Sequence, residues 1–170
     1  MTPVIVSARL TLRPVVLADA PAIVAGVGNW DVAKWLAVVP HPYDLADAHL
    51  FITEIIPESG DFWAIDDGSF AGIVSIDDHL GYWLAEDRWG RGYMTEATLA
   101  AISWYFENRA DDAISSGYFT GNARSGAVLN KLGFEKSGDG RKYCLARGDD
   151  LDHQDVRLTR TRWYGLSNRR

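Results

Sequence analysis

The most informative part of this sequence reads Trp89-Gly90-Arg91-Gly92-Tyr93-Met94-Thr95-Glu96-Ala97. It follows a short β-like run at 81–85 and leads into a long apolar helical pattern at 94–109. The first turn of a helix has backbone N–H groups without partners in the helix, and the helix dipole adds partial positive charge there. Because glycine lets this backbone approach an anion closely with positive φ, the stretch predicts an anion site. The alternative is a strand-to-helix turn that needs glycine for its geometry alone.

Two better-known phosphate motifs do not fit this loop. A dinucleotide-binding turn requires a third glycine where Thr95 stands, and no Lys-Ser or Lys-Thr pair follows as in a nucleotide P-loop. A nucleotide-binding enzyme of either kind is therefore disfavoured.

Length and composition predict one globular domain over residues 1–170, with 166–170 as a tail. The chain has 170 residues, of which 47% are hydrophobic, and seven tryptophans, so it can bury a sizeable core. It contains no apolar run long enough to span a bilayer and no basic-then-apolar start typical of a secretory signal. Cys144 is the single cysteine, which excludes an intramolecular disulfide. We expect a cytoplasmic protein without a membrane partner.

The charge distribution narrows the choice of partner. The net charge of −6 argues against a nucleic acid, which normally binds a basic surface. Residues 1–80 carry eleven acidic side chains against three basic ones, whereas the remainder is slightly basic. The N-terminal part is suited to a cation and the remainder to an anion, unless these charges are ordinary solvated surface groups.

Periodicity and capping residues predict alternating strands and helices. Asp19, Asn29 and Asp44 are candidate N-caps, and Asn122 and Gly133 bracket a further helix. Strands are predicted at 9–14, 62–65, 70–76, 81–85, 113–120, 141–147 and 154–163, and the longer helices at 19–27, 44–56, 94–109 and 123–132.

Three segments, 9–14, 81–97 and 121–134, resemble the GNAT superfamily of acyl-CoA-dependent N-acetyltransferases, and most closely its RimJ/RimL branch, which acetylates ribosomal-protein N-termini. The string Trp-Gly-Arg-Gly-Tyr-x-Thr-Glu-Ala precedes Gly-Asn-x-x-Ser-x-x-Val-Leu-x-Lys-Leu-Gly-Phe in the order typical of that family. The resemblance implies an α/β fold, classed as α+β in some schemes. Its central sheet would be mixed but mostly antiparallel, with six to seven strands, splayed central strands and flanking helices.

The resemblance also implies acetyl-CoA as the acyl donor. In the family pattern Gln/Arg-x-x-Gly-x-Gly/Ala, this chain has Trp89 first and Met94 sixth, which departs from the pattern at both positions. By this resemblance, Asn122 would contact the pantetheine arm and Asn130 another part of the cofactor. The residues alone indicate that Asn122 is a helix N-cap and that Asn130 lies on a solvated helix face. Backbone groups implied to hold the pyrophosphate belong to Arg91, Gly92, Tyr93, Met94 and Thr95, and those implied to pair with pantetheine belong to Trp83, Leu84 and Ala85.

The expected reaction is direct attack of an amine, either a protein N-terminus or a small molecule, on the thioester. It needs a neutral nucleophile, an oxyanion donor and a proton for the departing thiolate. The resemblance assigns that proton to Ser125, whose alternative is a solvent-facing or capping hydroxyl. Asp78 and His79 are candidate bases, together with Asp77 and, more distantly, Glu54; ordinary turn residues are the alternative. Tyr143 and Tyr118 are backup acids, and Cys144 is expected to pack in the core rather than act as a nucleophile.

Other classes of function are kept or set aside on specific residues. The four histidines show no paired ligand spacing, so no metal is predicted. A non-catalytic acyl-CoA-binding sensor of the same fold is the second hypothesis, although Ser125 and Asn122 favour an enzyme. The acceptor amine and a homodimer are left open.

Overall fold

Eight strands and seven α-helices make up the part of the chain that the structure, a computed structural model, describes, which is residues 2–167. The strands are β1 (Ile5–Val6), β2 (Thr11–Pro14), β3 (Asp61–Asp66), β4 (Phe70–Ile76), β5 (Leu80–Leu84), β6 (Ala113–Phe119), β7 (Glu135–Cys144) and β8 (Asp149–Thr159). The helices are α1 (Ala20–Val27), α2 (Trp30–Ala33), α3 (Leu45–Leu50), α4 (Ile56–Glu58), α5 (Tyr93–Asn108), α6 (Ala123–Leu132) and α7 (Arg160–Ser167).

The strands form two antiparallel sheets. The first has the order β1-β2-β3-β4-β5 and the second the order β6-β8-β7. The predicted α/β class and its mostly antiparallel pairing are confirmed, but the described strands number eight, because the two-residue strand β1 is too short to show a period.

The C-terminal third differs most from the prediction. β7 begins at Glu135 rather than at 141, because this edge strand is exposed and polar and has no apolar alternation to reveal it. The predicted strand to 163 is wrong, since β8 ends at Thr159 and α7 follows. Arg160 stabilises the switch from strand to helix at this point. Its guanidinium donates to the carbonyl of Phe106 in the last turn of α5 and to those of Arg109 and Asp111 just after it. Part of the predicted tail, 166–167, lies in α7, and 168–170 lie outside the described residues.

The first sheet is covered on both faces. One face packs on α5 and α6 through a cluster that includes Leu84, Ala101 and Leu129. The other face packs on α1 and α3 through a smaller cluster that includes Ile23 and Ile73. In β5, the even-numbered side chains face α5 and α6 and the odd-numbered ones face α1, because side chains alternate across a strand.

The two sheets meet at one end only. Ser115 N donates to the Asp78 carbonyl over 2.9 Å, and Ser116 Oγ donates to the Leu80 carbonyl over 2.9 Å. A single parallel bridge, His79 to Ser115, joins the start of β5 to the start of β6. Beyond this bridge no ladder joins the two strands, so the predicted splay of the central strands is confirmed.

Candidate active site

The loop before α5 needs glycine at two positions. Gly90 has φ 74° and Gly92 has φ 76°, both in the left-handed region that L side chains rarely adopt. Gly92 is the N-cap of α5, so the first N–H groups of a sixteen-residue helix follow it directly. A Cβ built on Gly90 would meet no atom within 4 Å, which means that the loop is open to a ligand at this point.

A carboxylate in the first turn of α5 ties this loop to the N-terminal strands. Glu96 accepts hydrogen bonds from Ser7 Oγ, Arg9 N and Arg9 Nε, each over 2.7 Å. The Arg9 guanidinium also donates to the Arg91 carbonyl over 2.8 Å and lies 5.0 Å from the centre of the Tyr93 ring. This network could not be predicted from the sequence, because its partners are more than eighty residues apart.

Backbone groups of β5 point into the space between the two sheets. Ala85 N donates to the Ala71 carbonyl over 2.9 Å, so this pair is a hydrogen-bonded pair of the ladder. Since hydrogen-bonded and non-hydrogen-bonded pairs alternate in an antiparallel ladder, Leu80, Tyr82 and Leu84 turn their N–H and C=O groups away from β4. The Leu80 and Leu84 carbonyls are accordingly bonded by Ser116 Oγ and Trp89 Nε1 instead of by β4.

The same reasoning applies to β6 across the gap. Thr120 N donates to the Asp152 carbonyl over 2.8 Å, so Gly117 and Phe119 turn their backbone groups away from β8 and toward β5. Within residues 2–167, the N–H groups of Tyr82, Leu84 and Gly117 have no hydrogen-bond partner. The gap is therefore a slot with polar backbone edges on both sides.

A pair of hydroxyls lies on the α6 side of this slot. Tyr82 Oη and Ser125 Oγ are 2.8 Å apart, and Asn122 Oδ1 caps α6 by accepting from Ser125 N over 3.3 Å. Burial raises the pKa of Tyr82 far above its ordinary value, against a smaller opposite effect of the Ser125 hydrogen bond. Tyr82 thus keeps its proton at neutral pH, and it is a residue that the sequence analysis did not select.

A cavity of about 1110 Å³ continues from the glycine loop through the slot to the helices α1, α2 and α3. Its wall near α1–α3 is largely apolar and includes Val27, Trp35, Leu36 and Phe62. Positive charge is concentrated elsewhere in its lining, at Arg88, Arg124, Lys131 and Lys142. The Arg124 guanidinium lies 4.2 Å from the centre of the Trp89 ring, which fixes it beside the loop.

Most of the predicted site residues line this cavity. They are His79, Trp83, Leu84, Gly92, Tyr93, Met94, Thr95, Asn122 and Ser125. The Trp83 ring projects toward α1, where a Cβ on Gly26 would come within 2.4 Å of it, so Trp83 contributes a side chain rather than free backbone groups.

Five predicted residues do not line the cavity. Ala85 is bonded to β4, and the Arg91 guanidinium donates to the Asp87 carbonyl of its own loop over 2.9 Å. Asp78 is exposed, as is Asn130 on the outer face of α6. Tyr143 is 52% exposed, because on β7 its neighbour Lys142 takes the cavity side of the strand. The roles predicted for these three exposed residues stay predictions, and the sequence could not show which strand face or helix face would meet the slot.

Two histidines lie at the cavity. Partial desolvation of the His79 ring lowers its pKa, and Lys142 adds to this effect, while Asp77 and Asp78 oppose it. His153, which the sequence analysis did not select, is 9% exposed and pairs through Nδ1 with Asp155 Oδ1 over 2.9 Å. The buried thiol of Cys144 lies outside the cavity, 3.7 Å from the carbonyls of Lys34 and Leu36.

The splayed sheets, the glycine loop and the helix that follows it form a fold of the GNAT class. The Acetyltransferase (GNAT) domain matches residues 9–135, which is most of the chain, and the chain belongs to this family.

Individual relatives agree with this assignment. The Escherichia coli [ribosomal protein uS5]-alanine N-acetyltransferase is 38% identical over 98 residues, covering 56% of this chain and 50% of that enzyme. This chain therefore spans about half the length of that relative. A ribosomal-protein-S5-alanine acetyltransferase from Vibrio fischeri has the same fold, with a TM-score of 0.80 at 22% identity, covering 95% of this chain and 98% of the other. RimL, a ribosomal alpha-N-protein acetyltransferase in complex with coenzyme A, gives a TM-score of 0.78 at 20% identity, covering 92% and 98%.

Two further observations concern partners. No helix within residues 2–167 combines the length and the apolar character needed to cross a membrane. In the same residues, no three histidine, cysteine or acidic side chains gather closely enough to hold a metal ion. The prediction that the protein uses no metal stays a prediction.

Proposed function

We propose that this protein is a cytoplasmic N-acetyltransferase that moves the acetyl group of acetyl-CoA to a primary amine. The observation that carries the proposal is the slot between β5 and β6, where the N–H groups of Tyr82, Leu84 and Gly117 have no partner among the described residues. Unpaired backbone in the middle of a sheet is costly unless a ligand or water satisfies it. Membership of the GNAT family and relatives named as N-acetyltransferases support the same reaction.

The residues at the slot fit the chemical groups of acetyl-CoA. The phosphates would bind at Gly90 and Gly92, where the loop is open and the N-terminus of α5 favours an anion. Arg88 and Arg124 supply cations at the same end of the cavity. The pantetheine arm carries amides, which can pair with the free backbone N–H of Tyr82 as another strand would.

When bound, acetyl-CoA supplies an electrophilic thioester carbon and a thiol leaving group. The Leu84 N–H, directed into the slot, is suited to polarise the carbonyl oxygen. Ser125 Oγ is suited to give a proton to the departing sulfur, and the protonated Tyr82 hydroxyl, 2.8 Å away, can restore it. Direct attack needs no covalent intermediate on the protein, which agrees with the inaccessible position of Cys144.

The acceptor enters from the wall formed by α1, α2 and α3. This wall is largely apolar and carries Asp47 of α3, while Asp77, in the turn between β4 and β5, also lines the cavity, so the cavity is suited to an amine on a partly apolar group. An α-amino group has a pKa near 8 and is appreciably neutral at pH 7, whereas a lysine-type amine near 10.4 is not. We therefore propose a protein N-terminus as the preferred acceptor, as the name of the uS5-alanine relative also suggests.

The test combines calorimetry with an assay of thiol release. Acetyl-CoA and CoA are titrated into the protein, and free thiol is then followed with a panel of alanine- and serine-initiated peptides and small amines. We expect saturable binding and amine-dependent thiol release. Binding without release for every amine would support the sensor instead, and absence of binding would refute the assignment of the slot.

A pair of serine variants makes the test specific. Ser125→Ala should lower kcat by about 10- to 1000-fold with an unchanged Kd for CoA, because it removes a proton donor and leaves the backbone cap of α6 in place. Ser137→Ala, on the exposed strand β7 and outside the cavity, is the matched control and should have wild-type kcat. Equal kcat values for the two variants would exclude Ser125 from the chemistry.

A further inference from the structure

His153 lies on the acceptor side of the slot. In β8 the side chains of Val156 and Leu158 are buried in the core against α6, and odd-numbered residues such as His153 face the other way. His153 pairs across the ladder with Phe119, and the two rings meet edge to face with centroids 5.5 Å apart.

Gly117 brings the His153 ring to the slot. A Cβ built on Gly117 would lie 2.2 Å from His153 Cε1 and 2.9 Å from Nε2, so only glycine permits this approach. Gly117 is also one of the two β6 residues, with Phe119, whose backbone groups turn toward β5. The imidazole therefore sits directly on an edge of the slot, and both residues line the cavity.

Asp155 fixes the orientation and the tautomer of this ring. Its Oδ1 is 2.9 Å from His153 Nδ1, and since a carboxylate can only accept, Nδ1 carries the proton. Nε2 forms no hydrogen bond within residues 2–167 and, in the neutral ring, is a free acceptor. A neutral imidazole held through Nδ1 by a carboxylate is the arrangement of a general base.

The opposite face of the slot holds the hydroxyl pair. Tyr82 and Ser125 lie on the α5–α6 side, where Tyr118 also packs on Gly126 of α6. The slot thus has a proton acceptor on the side from which the amine approaches and a proton donor on the other side. This division suits a reaction in which nitrogen loses a proton and sulfur gains one.

We infer that His153, positioned by Asp155, is the general base that removes a proton from the acceptor amine. The inference rests on the proposed transferase function. As the nitrogen lone pair forms the C–N bond, an N–H bond breaks and its proton passes to Nε2. The electron pair of the C–S bond leaves with sulfur, which takes a proton from Ser125. Water then accepts the proton from His153, and a proton from water returns to Ser125 through the Tyr82 hydroxyl, so that the atoms and charges balance.

Three ionisable groups besides the amine face His153, and the test must distinguish their effects on kcat from that of His153. They are Asp155 on its own strand, Lys142 on β7 and His79 at the start of β5. On β6 the facing residues, Ser115, Gly117 and Phe119, do not titrate in the relevant range. His79 is the direct competitor for the role of base, because it lines the same cavity.

The kinetic test measures kcat for thiol release between pH 5.5 and 9 with saturating acetyl-CoA and peptide. His153→Gln should lower kcat by about 100- to 10,000-fold, while the Kd for CoA stays unchanged. Asp155→Asn, a change at a side chain that is 55% exposed, should lower kcat by about 10-fold or more because the tautomer is no longer fixed. His49→Gln, on the exposed face of α3, is the control and should match wild type. A wild-type kcat in His153→Gln together with a strongly lowered kcat in His79→Gln would overturn the inference.

Two readouts distinguish a base from a structural ring. Added imidazole should restore at least a tenth of the wild-type kcat to His153→Ala, and a failure to do so would count against the role. Independently of turnover, imidazole nitrogen NMR of the wild-type protein should show neutral His153 protonated at Nδ1; a proton on Nε2 would overturn the assignment. If wild type releases no thiol with any amine, the transferase proposal fails, and the role of His153 falls with it.

Discussion

The network at Glu96 gives a quantitative test of how the anion-binding loop is held. Glu96→Gln keeps the shape of the side chain but removes its charge. The neutral amide loses an ion pair with a half-exposed Arg9, which contributes about 0.2–1 kcal/mol. It also loses the favourable charge in the first turn of α5, which contributes about 0.3–1 kcal/mol. Because the bonds from Ser7 and Arg9 N also weaken, we expect a loss of roughly 1–2 kcal/mol in the free energy of unfolding.

The assay is urea unfolding followed by tryptophan fluorescence at pH 7. Glu107→Gln is the matched control, because Glu107 is exposed in the last turn of the same helix, where its charge has no favourable dipole contribution. It should change the free energy of unfolding by less than about 0.5 kcal/mol. The Kd for CoA should rise in Glu96→Gln and stay unchanged in Glu107→Gln, because Arg9 also holds the Arg91 carbonyl of the loop.

The pH dependence supplies the refutation. Burial disfavours the charged carboxylate, but the hydrogen bonds from Ser7 and Arg9 outweigh it, so the pKa of Glu96 is lowered in the folded protein. A lowered pKa stabilises the fold fully above the ordinary value of about 4.5 and loses this effect as the pH falls through the folded-state value. The difference between wild type and Glu96→Gln should be constant from pH 6 to 8 and shrink below pH 4.5. A difference that is absent at pH 7, or unchanged at pH 3, would refute this account.

Three further changes have defined outcomes. Gly117→Ala should destabilise the protein by about 1–3 kcal/mol in urea unfolding and lower kcat, because the new methyl group overlaps the His153 ring. Wild-type kcat in this variant would contradict the placement of that ring. Arg124→Gln should change the free energy of unfolding by no more than about 1 kcal/mol, since it loses the contact with Trp89. It should raise the Kd for CoA measured by calorimetry and make that Kd less dependent on salt concentration. Cys144→Ala should lower stability by about 1 kcal/mol and leave thiol release intact, whereas abolished turnover would revive the nucleophile hypothesis.

Much of the site could be predicted because its signals are local. The glycines at 90 and 92 and the helix caps Asn122 and Gly133 occur where the backbone needs them, and each depends on residues within four positions in the chain. The slot beside 81–85, by contrast, was expected only from the resemblance to the GNAT family.

The missed parts depend on contacts between distant segments. Arg9 meets Glu96 across 87 residues, and Tyr82 meets Ser125 across 43, so neither pair leaves a spacing that a single sequence reveals. His153 lies in an alternating run, which predicts a strand but does not show which side of it faces a cavity. Alternation within Gly81–Leu84 could have identified Tyr82, had the face toward α6 been known.

The wrongly predicted boundaries of β7 and β8 have a different cause. β7 is an exposed edge strand without apolar alternation, and the end of β8 is set by Arg160 binding the carbonyls at the end of α5. Polar strands and distant carbonyl acceptors are not visible in hydrophobic periodicity. Element boundaries there follow tertiary contacts rather than local preference.

The splay of the two sheets also determines where the backbone exchanges its hydrogens. In an ordinary sheet the central strands are the most protected, and exchange begins at the edges. Here the amides of Tyr82, Leu84 and Gly117 lie in the interior and have no partner within residues 2–167. The amides of Ile73 and Val156 beside them belong to complete ladders. We expect these three central amides to exchange rapidly in the free protein and slowly once acetyl-CoA is added. Amide exchange in the slot between β5 and β6 should therefore respond most strongly to the ligand, while the fully paired parts of the strands exchange slowly with or without it.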